Sequence, residues 1–303
     1  MPELEYVRGM EESLDIGDHP FPLAKYSILT RLLQEELKAS EEHFHDPTEV
    51  SAEDIARIHT PRYLSDLEQA RKTWATTSSE LPVTREVISA FRRLLGASAQ
   101  TVRLALDRGM GFCIGGGFHH AFPDHAEGFC YFHDMAIAVE KARAETDLER
   151  VLFLDVDVHQ GNGTALIYKL DEDTFTYSIH QEHNYPLKQR SDLDTGLPDG
   201  VSDEEYLERL GEDLDTVDER FADPQLVCYV AGVDPFLRDQ LGGLALTEEG
   251  LRRRDELVFS RYRRARVPVA IFLAGGYAGS AEETARLHFG TAQAAQDVLD
   301  QCR

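Results

Sequence analysis

The stretch Val151-Leu-Phe-Leu-Asp-Val-Asp-Val-His-Gln-Gly-Asn-Gly163 begins as an apolar run and ends in carboxylates, an imidazole, two amides and two glycines. An apolar run of this length, bounded by turn-forming residues, reads as a strand buried on both faces of a parallel sheet. Its polar end then becomes the place to look for chemistry, because open parallel sheets bind ligands outside the carboxyl ends of their strands. If Val151 to Val158 is one extended strand, residues two apart share a face. Asp155, Asp157 and His159 then project together, while Leu154, Val156 and Val158 fill the other side.

Outward from this stretch, four more apolar runs predict strands: Phe112 to Ile114, Phe175 to Ile179, Leu226 to Val233 and Val267 to Leu273. Helical patterns lie between them, over Leu23 to Leu37, Val87 to Leu106, Met135 to Arg143, Asp203 to Phe221, Glu248 to Arg264 and Ala281 to Leu299. Ser51 with Asp54 predicts a short capped helix, and Thr60-Pro61 starts another. This alternation implies an α/β fold: a single domain over residues 1–303 with a largely parallel β-sheet flanked by helices. The segment Gln181 to Asp203 carries no clear pattern and is expected to be a loop facing substrate.

Composition narrows the function classes. Of 303 residues, 55 are acidic and 31 basic, a formal charge of −24 that disfavours binding to a phosphate backbone, so no direct nucleic-acid partner is expected. Such a field either draws cationic substrates or simply solvates the surface, as in a salt-rich cell. No run approaches the roughly 20 apolar residues of a membrane span, and the first ten residues lack a secretory pattern, so a cytoplasmic location is expected. Cys113, Cys130, Cys228 and Cys302 show no CxxC spacing and read as reduced thiols.

Every predicted strand end but one is rich in reactive groups. Gly115-Gly116-Gly117-Phe118-His119-His120 follows Ile114, Asp234 follows Val233, and Ala274-Gly275-Gly276-Tyr277 follows Leu273. Asp157, His159 and Asp234 together supply two oxygens and one nitrogen, leaving room for water and substrate, as a catalytic zinc requires. Iron(II) fits the same donors. Alone, Asp155 and Asp157 could equally cap a strand; joined by two histidines and a tyrosine at neighbouring strand ends, they mark a reactive cleft. Adjacent histidines serve one pocket only if the backbone leaves strand geometry, which Gly115 to Gly117 permit.

These motifs, GGGFHHA, GFCYFHD, FLDVDVHQGNG, AGVDPFLRDQLGGL and AGGY in that order, resemble the histone deacetylase family of the arginase/deacetylase fold over about residues 19 to 290. The HPF at His19 to Phe21, the HQGNG form, the DxLGGL form at Asp239 to Leu244 and the short AGGY are most similar to the class IV branch and its bacterial relatives. The resemblance implies zinc held by Asp157, His159 and Asp234, with His120 the general base toward the attacking water. It implies His119 as the protonated partner, Tyr277 as the oxyanion donor, and Gly128 and Phe129 as a wall of the substrate channel. It further implies a structural potassium ion near Asp155 and Ser178, and an acylated lysine peptide or an acylpolyamine as substrate.

One departure stands out: Asn162 occupies a position where many family members carry Asp, so it can orient His120 without supplying charge. The family's acidic rim residue has no counterpart legible around Thr76 to Thr84, and Tyr185 is a candidate for the second channel wall. A two-manganese ureohydrolase of the same fold would need further carboxylates in place of the histidine pair and Tyr277. A silent acyl-lysine binding module would be expected to lack one of these groups, and none is missing.

Overall fold

The fold is given by a computed structural model that describes residues 4–9 and 14–301; Cys302 lies outside the described residues. In chain order the elements are β1 (Glu5–Val7), α1 (Ala24–Glu35), β2 (Phe44–His45), α2 (Ala52–Ala56), α3 (Pro61–Glu68), α4 (Trp74–Thr77), α5 (Arg85–Arg108) and β3 (Met110–Cys113). There follow α6 (Asp134–Glu145), β4 (Val151–Asp155), α7 (Asn162–Ile167), β5 (Thr174–Gln181), β6 (Leu193–Leu197) and α8 (Asp203–Arg220). The chain ends with β7 (Leu226–Val230), α9 (Glu248–Ala265), β8 (Val269–Phe272) and α10 (Ala281–Gln301).

Eight strands form one sheet in the order β2-β1-β3-β8-β7-β4-β5-β6, and every neighbouring pair is parallel. The four central strands, β3, β8, β7 and β4, are buried along their whole length. They are also the four whose ends carry the reactive motifs, so the topology gathers residues distant in sequence at one edge.

Alternation along these strands builds two cores. Leu152, Leu154, Val227, Tyr229, Val269 and Ile271 face a large core shared with α1, α8, α9 and α10. Val151, Phe153, Cys228, Val230, Ala270 and Phe272 face a smaller one closed by α5 and α6. Each Val, Leu, Ile or Phe among them contributes about 1.5–3 kcal/mol by leaving water. Three caps act as the residue types imply. Ser51, Thr84 and Thr247 accept from the amides of Asp54, Val87 and Gly250 at 3.1, 3.2 and 3.0 Å.

Four strands correct the sequence reading. Strands β1 and β2 were not expected, and the Gln181–Asp203 segment contains β6, paired with β5 from Tyr177↔Leu193 to Gln181↔Leu197. The run expected to be a strand from Val151 to Val158 stops at Asp155. No helix among the described residues is long and apolar enough to cross a membrane. Cys113, Cys130 and Cys228 are free and buried.

Candidate active site

Strand β4 ends early because its own carboxylates turn the chain. Oδ1 of Asp155 accepts from the amide of Asp157 at 3.1 Å, and Oδ1 of Asp157 accepts from the amide of His159 at 2.9 Å. Such bonds two residues ahead curl a backbone out of a strand. The expectation that three side chains share a strand face is therefore corrected: turns, not pleating, bring Asp157 and His159 together. Asp155 stands one step behind, against His119.

Asp157, His159 and Asp234 are buried and place one ligand atom each within 4.8 Å of one another. Nδ1 of His159 lies 3.2 Å from Oδ1 of Asp157 and 3.1 Å from Oδ2 of Asp234. The other carboxylate oxygens are held by the backbone. The amide of Gly275 donates to Oδ2 of Asp157 and that of Val158 to Oδ1 of Asp234, both at 2.8 Å. A methyl group on Gly232 would come within 2.3 Å of Asp157. Burial and the charge of Asp157 push the Asp234 carboxyl up to about 7, the mark of anionic groups confined where a cation belongs. Two oxygens, one nitrogen and pinned carboxylates fit a divalent metal with an open position, zinc or iron(II).

The histidine pair is presented by the glycine loop. Gly116 and Gly117 have φ of 68° and 83°, and the amides of Gly117 and Phe118 donate to the buried carboxylate of Asp134 at 3.1 and 2.8 Å. The rings of His119 and His120 then lie 4.0 Å apart, each with a different partner. His119 Nδ1 meets Oδ2 of Asp155 at 2.7 Å, and His120 Nδ1 meets Oδ1 of Asn162 at 2.8 Å. Burial alone would lower the pKa of His119, but the carboxylates of Asp155 and Asp157 hold it up at about 9. Burial and the neighbouring charges of His119 and His159 push His120 well below 6.5. The two imidazoles are thereby separated into an acid and a base.

The hydrogen bonds also decide the tautomer of His120. Oδ1 of Asn162 accepts from the amide of Gly163 at 3.0 Å, so this atom is the oxygen, and His120 Nδ1 must donate to it. Nε2 of His120 keeps its lone pair.

Tyr277 follows β8, its amide donating to Oδ2 of Asp239 at 2.6 Å. Burial and the negative charges of Asp234 and Asp157 raise its pKa far above 10, so the phenol remains a donor. Lys25 lies beneath it, fully buried, its Nζ donating to the carbonyl of Ala274 at 3.1 Å and 5.9 Å from the Tyr277 ring. Burial lowers the Lys25 pKa to about 8, against the pull of Asp234 and Asp157.

A pocket of about 200 Å³ opens over this floor. His120, His159, Tyr277, Gly128, Phe129, Tyr185, Leu241, Asn184 and Glu80 line it. A smaller space of about 20 Å³ continues inward past Phe21, Phe118 and Cys130. Gly128, Phe129 and Tyr185, the residues proposed from the sequence for the channel, all line this pocket. Ser178 does not reach the pocket: it pairs across β4 and β5 with Asp155, and its hydroxyl lies 2.9 Å from Nδ1 of His180. Sequence reasoning missed Lys25, Glu80, Glu127 and Asp134. Only Asp134 had a signal: it is the last residue of the GFCYFHD motif and opens a helix.

Residues 19–292 match the histone deacetylase domain. The chain belongs to the histone deacetylase family. It is a metal-dependent deacetylase or amidohydrolase of that family, with a buried Asp-His-Asp metal site. An uncharacterized protein of Picosynechococcus sp. is 38% identical over 296 residues, 97% of either chain. Histone deacetylase 2 of Arabidopsis thaliana is 31% identical over 270 residues, covering 86% of this chain and 70% of that one. The crystal structure of a histone deacetylase homolog from Aquifex aeolicus shares the fold, with a TM-score of 0.80 at 22% identity over 98% of this chain and 88% of that one.

Proposed function

We infer that this histone deacetylase family member hydrolyses the amide of short-chain acylated lysine in peptides, as one catalytic domain of the class IV type. One observation carries the reading: His120, His159 and Tyr277 line one pocket, and the same three with His119 and Asp157 line the small space next to it, beside the Asp157-His159-Asp234 cluster. When bound, zinc supplies Lewis acidity toward the carbonyl and makes water more acidic.

The protein's own residues do the rest. Phe129 and Tyr185 flank the apolar stem of the acyl-lysine. Nε2 of His120, free of its proton, takes one from the attacking water. The Tyr277 hydroxyl donates to the oxygen on which negative charge develops. His119, held protonated by Asp155, stabilises that charge and gives its own proton to the leaving amine, and the proton His120 took from water restores the starting state once the products leave. The narrow inner space favours an acetyl group over a long acyl chain. A monovalent cation beside Asp155 and Ser178 would brace the end of β4; their pairing across adjacent strands supports such a site.

The acylpolyamine alternative shares every step and differs only at the rim, where Glu80 would meet a second cationic nitrogen. The test is turnover of acetyl-, octanoyl- and myristoyl-lysine peptides and of acetylated polyamines by metal-quantified protein. Turnover of acetyl-lysine that is lost in His120→Ala supports the reading. Binding of every substrate without turnover overturns it in favour of a recognition module.

A further inference from the structure

The hydrogen-bonded line that starts at His120 does not stop at Asn162. Nδ2 of Asn162 donates to Oε1 of Glu127 at 2.7 Å. On its other side, Oε2 of Glu127 lies 3.6 Å from Nε2 of His125. Glu127 is held in place by a tight turn. Its amide donates to the carbonyl of Cys130 at 3.2 Å, and the amide of Cys130 donates back at 2.9 Å. Between them Gly128 and Phe129 adopt φ of 49° and 64°, the left-handed pair of a hairpin-type turn. The amide of Phe129 in turn donates to the carbonyl of Ser79 at 3.0 Å. The turn that sets Phe129 in the channel wall therefore also fixes the carboxylate of Glu127.

A side-chain amide has two orientations of nearly equal shape. In the observed one, Oδ1 of Asn162 receives protons from Gly163 and from His120 Nδ1. Flipped, it would present its NH2 group to both, and the His120 proton would have to move to Nε2. That imidazole could no longer accept a proton from water. A flip would also turn the amide oxygen toward the Glu127 carboxylate, replacing a charge-assisted bond by repulsion. Burial would raise the pKa of Glu127, but hydrogen bonds from His125, Asn162 and Tyr185 outweigh it and keep the carboxylate ionised.

We propose that Glu127 is a positioning residue that locks the amide of Asn162 and thereby holds His120 with its proton on Nδ1 and its lone pair on Nε2. The negative charge that Asn162 lacks is thus supplied one residue further out. This rests on the reading of His120 as the base.

The test compares zinc-loaded wild type, Glu127→Met, which fills the space without an acceptor, and Glu127→Gln, which keeps an acceptor oxygen. The first readout is the tautomer of His120 from the nitrogen-15 shifts of its ring near pH 7.5. The expected result is Nδ1–H in wild type, a mixture in Glu127→Met and recovery in Glu127→Gln. The second is kinetics on an acetyl-lysine peptide. Glu127→Met is expected to lower kcat about tenfold, the factor a charge-assisted hydrogen bond is worth. KM is expected to stay within about twofold, and the loss to vanish in an Asn162→Ala background.

A loss confined to KM would mean that Glu127 acts on the wall through Tyr185 and overturns the proposal. So does an Nδ1-protonated His120 in both wild type and Glu127→Met, whatever the activity. Should Glu127→Met not fold, Glu127→Ala takes its place in both readouts. If His120→Ala keeps full turnover, the base assignment fails, while a changed tautomer still upholds the link from Glu127 to His120.

Discussion

The amide of Gly275 donates to Oδ2 of Asp157 at 2.8 Å, while a methyl group on Gly275 would lie 2.1 Å from Oδ2 of Asp234. One residue thus serves both carboxylates of the metal cluster, bonding the first and leaving space for the second. Gly275→Ala should displace Asp234 and also crowd Oδ2 of Asp157, 2.6 Å from the methyl, while the backbone there needs no positive φ. The expected result is a loss of about 10- to 100-fold in zinc affinity, measured by competition with a chromophoric chelator. An affinity equal to wild type would show that Asp234 can move aside at no consequence.

Asn162 makes a prediction about pH. The base works as neutral imidazole, so activity falls on the acid side as His120 gains a proton. A carboxylate at position 162 would stabilise the imidazolium and raise the pKa of His120. The acidic limb of kcat/KM for Asn162→Asp should therefore move to higher pH, by about one unit. Superimposable acidic limbs for the two proteins would rule this out.

The sequence is most legible where local chemistry and tertiary role coincide. The start of the strand at Val151 and the Ser51 and Thr247 caps are each decided by neighbours in the chain, and each is found where the pattern puts it. Strands β1 and β2 are three and two residues long, too short for periodicity, and are strands only because β3 pairs with β1. The Asp155–His159 segment misled because alternation and successive Asx turns leave the same Asp-x-Asp-x-His spacing. Lys25 reads as an ordinary polar residue of a helix. Its burial beside Tyr277 is set by the packing of α1 on α10 and by the carbonyl of Ala274 just past β8, which no window of sequence contains. Glu127 was hidden for the same reason: its partner, Asn162, is 35 residues away.

Tyr277 gives a prediction that separates catalysis from binding. Its phenol lines the base of the pocket, and the ring packs 5.9 Å from that of Phe129. Tyr277→Phe keeps the ring and removes the donor aimed at the developing oxyanion. The expected loss is about 10²- to 10³-fold in kcat, with little change in KM or in metal content. A loss expressed mainly in KM would mean that the hydroxyl serves substrate binding instead.

Behind the metal cluster, Arg254 is fully buried and ties two of its strands together. Nη1 donates to the carbonyl of Gly232 at 2.7 Å and to that of Val156 at 3.3 Å, two residues before Asp234 and one before Asp157. Nε donates to Oδ1 of Asp255 at 2.9 Å, and the Tyr229 hydroxyl donates to the same oxygen. Replacing Arg254 by Ala leaves a buried carboxylate unpaired and two carbonyls unmet, a loss expected to reach about 3–5 kcal/mol in urea unfolding of the metal-free protein. Lys in its place carries the charge but not the planar fork, so it can meet the carbonyls or Asp255 and not both. Arg254→Lys should therefore fold yet bind metal more weakly than wild type, since the backbone ahead of Asp157 and Asp234 is no longer held from one point. Wild-type zinc affinity in Arg254→Lys, by the same chelator competition, would confine Arg254 to stability alone.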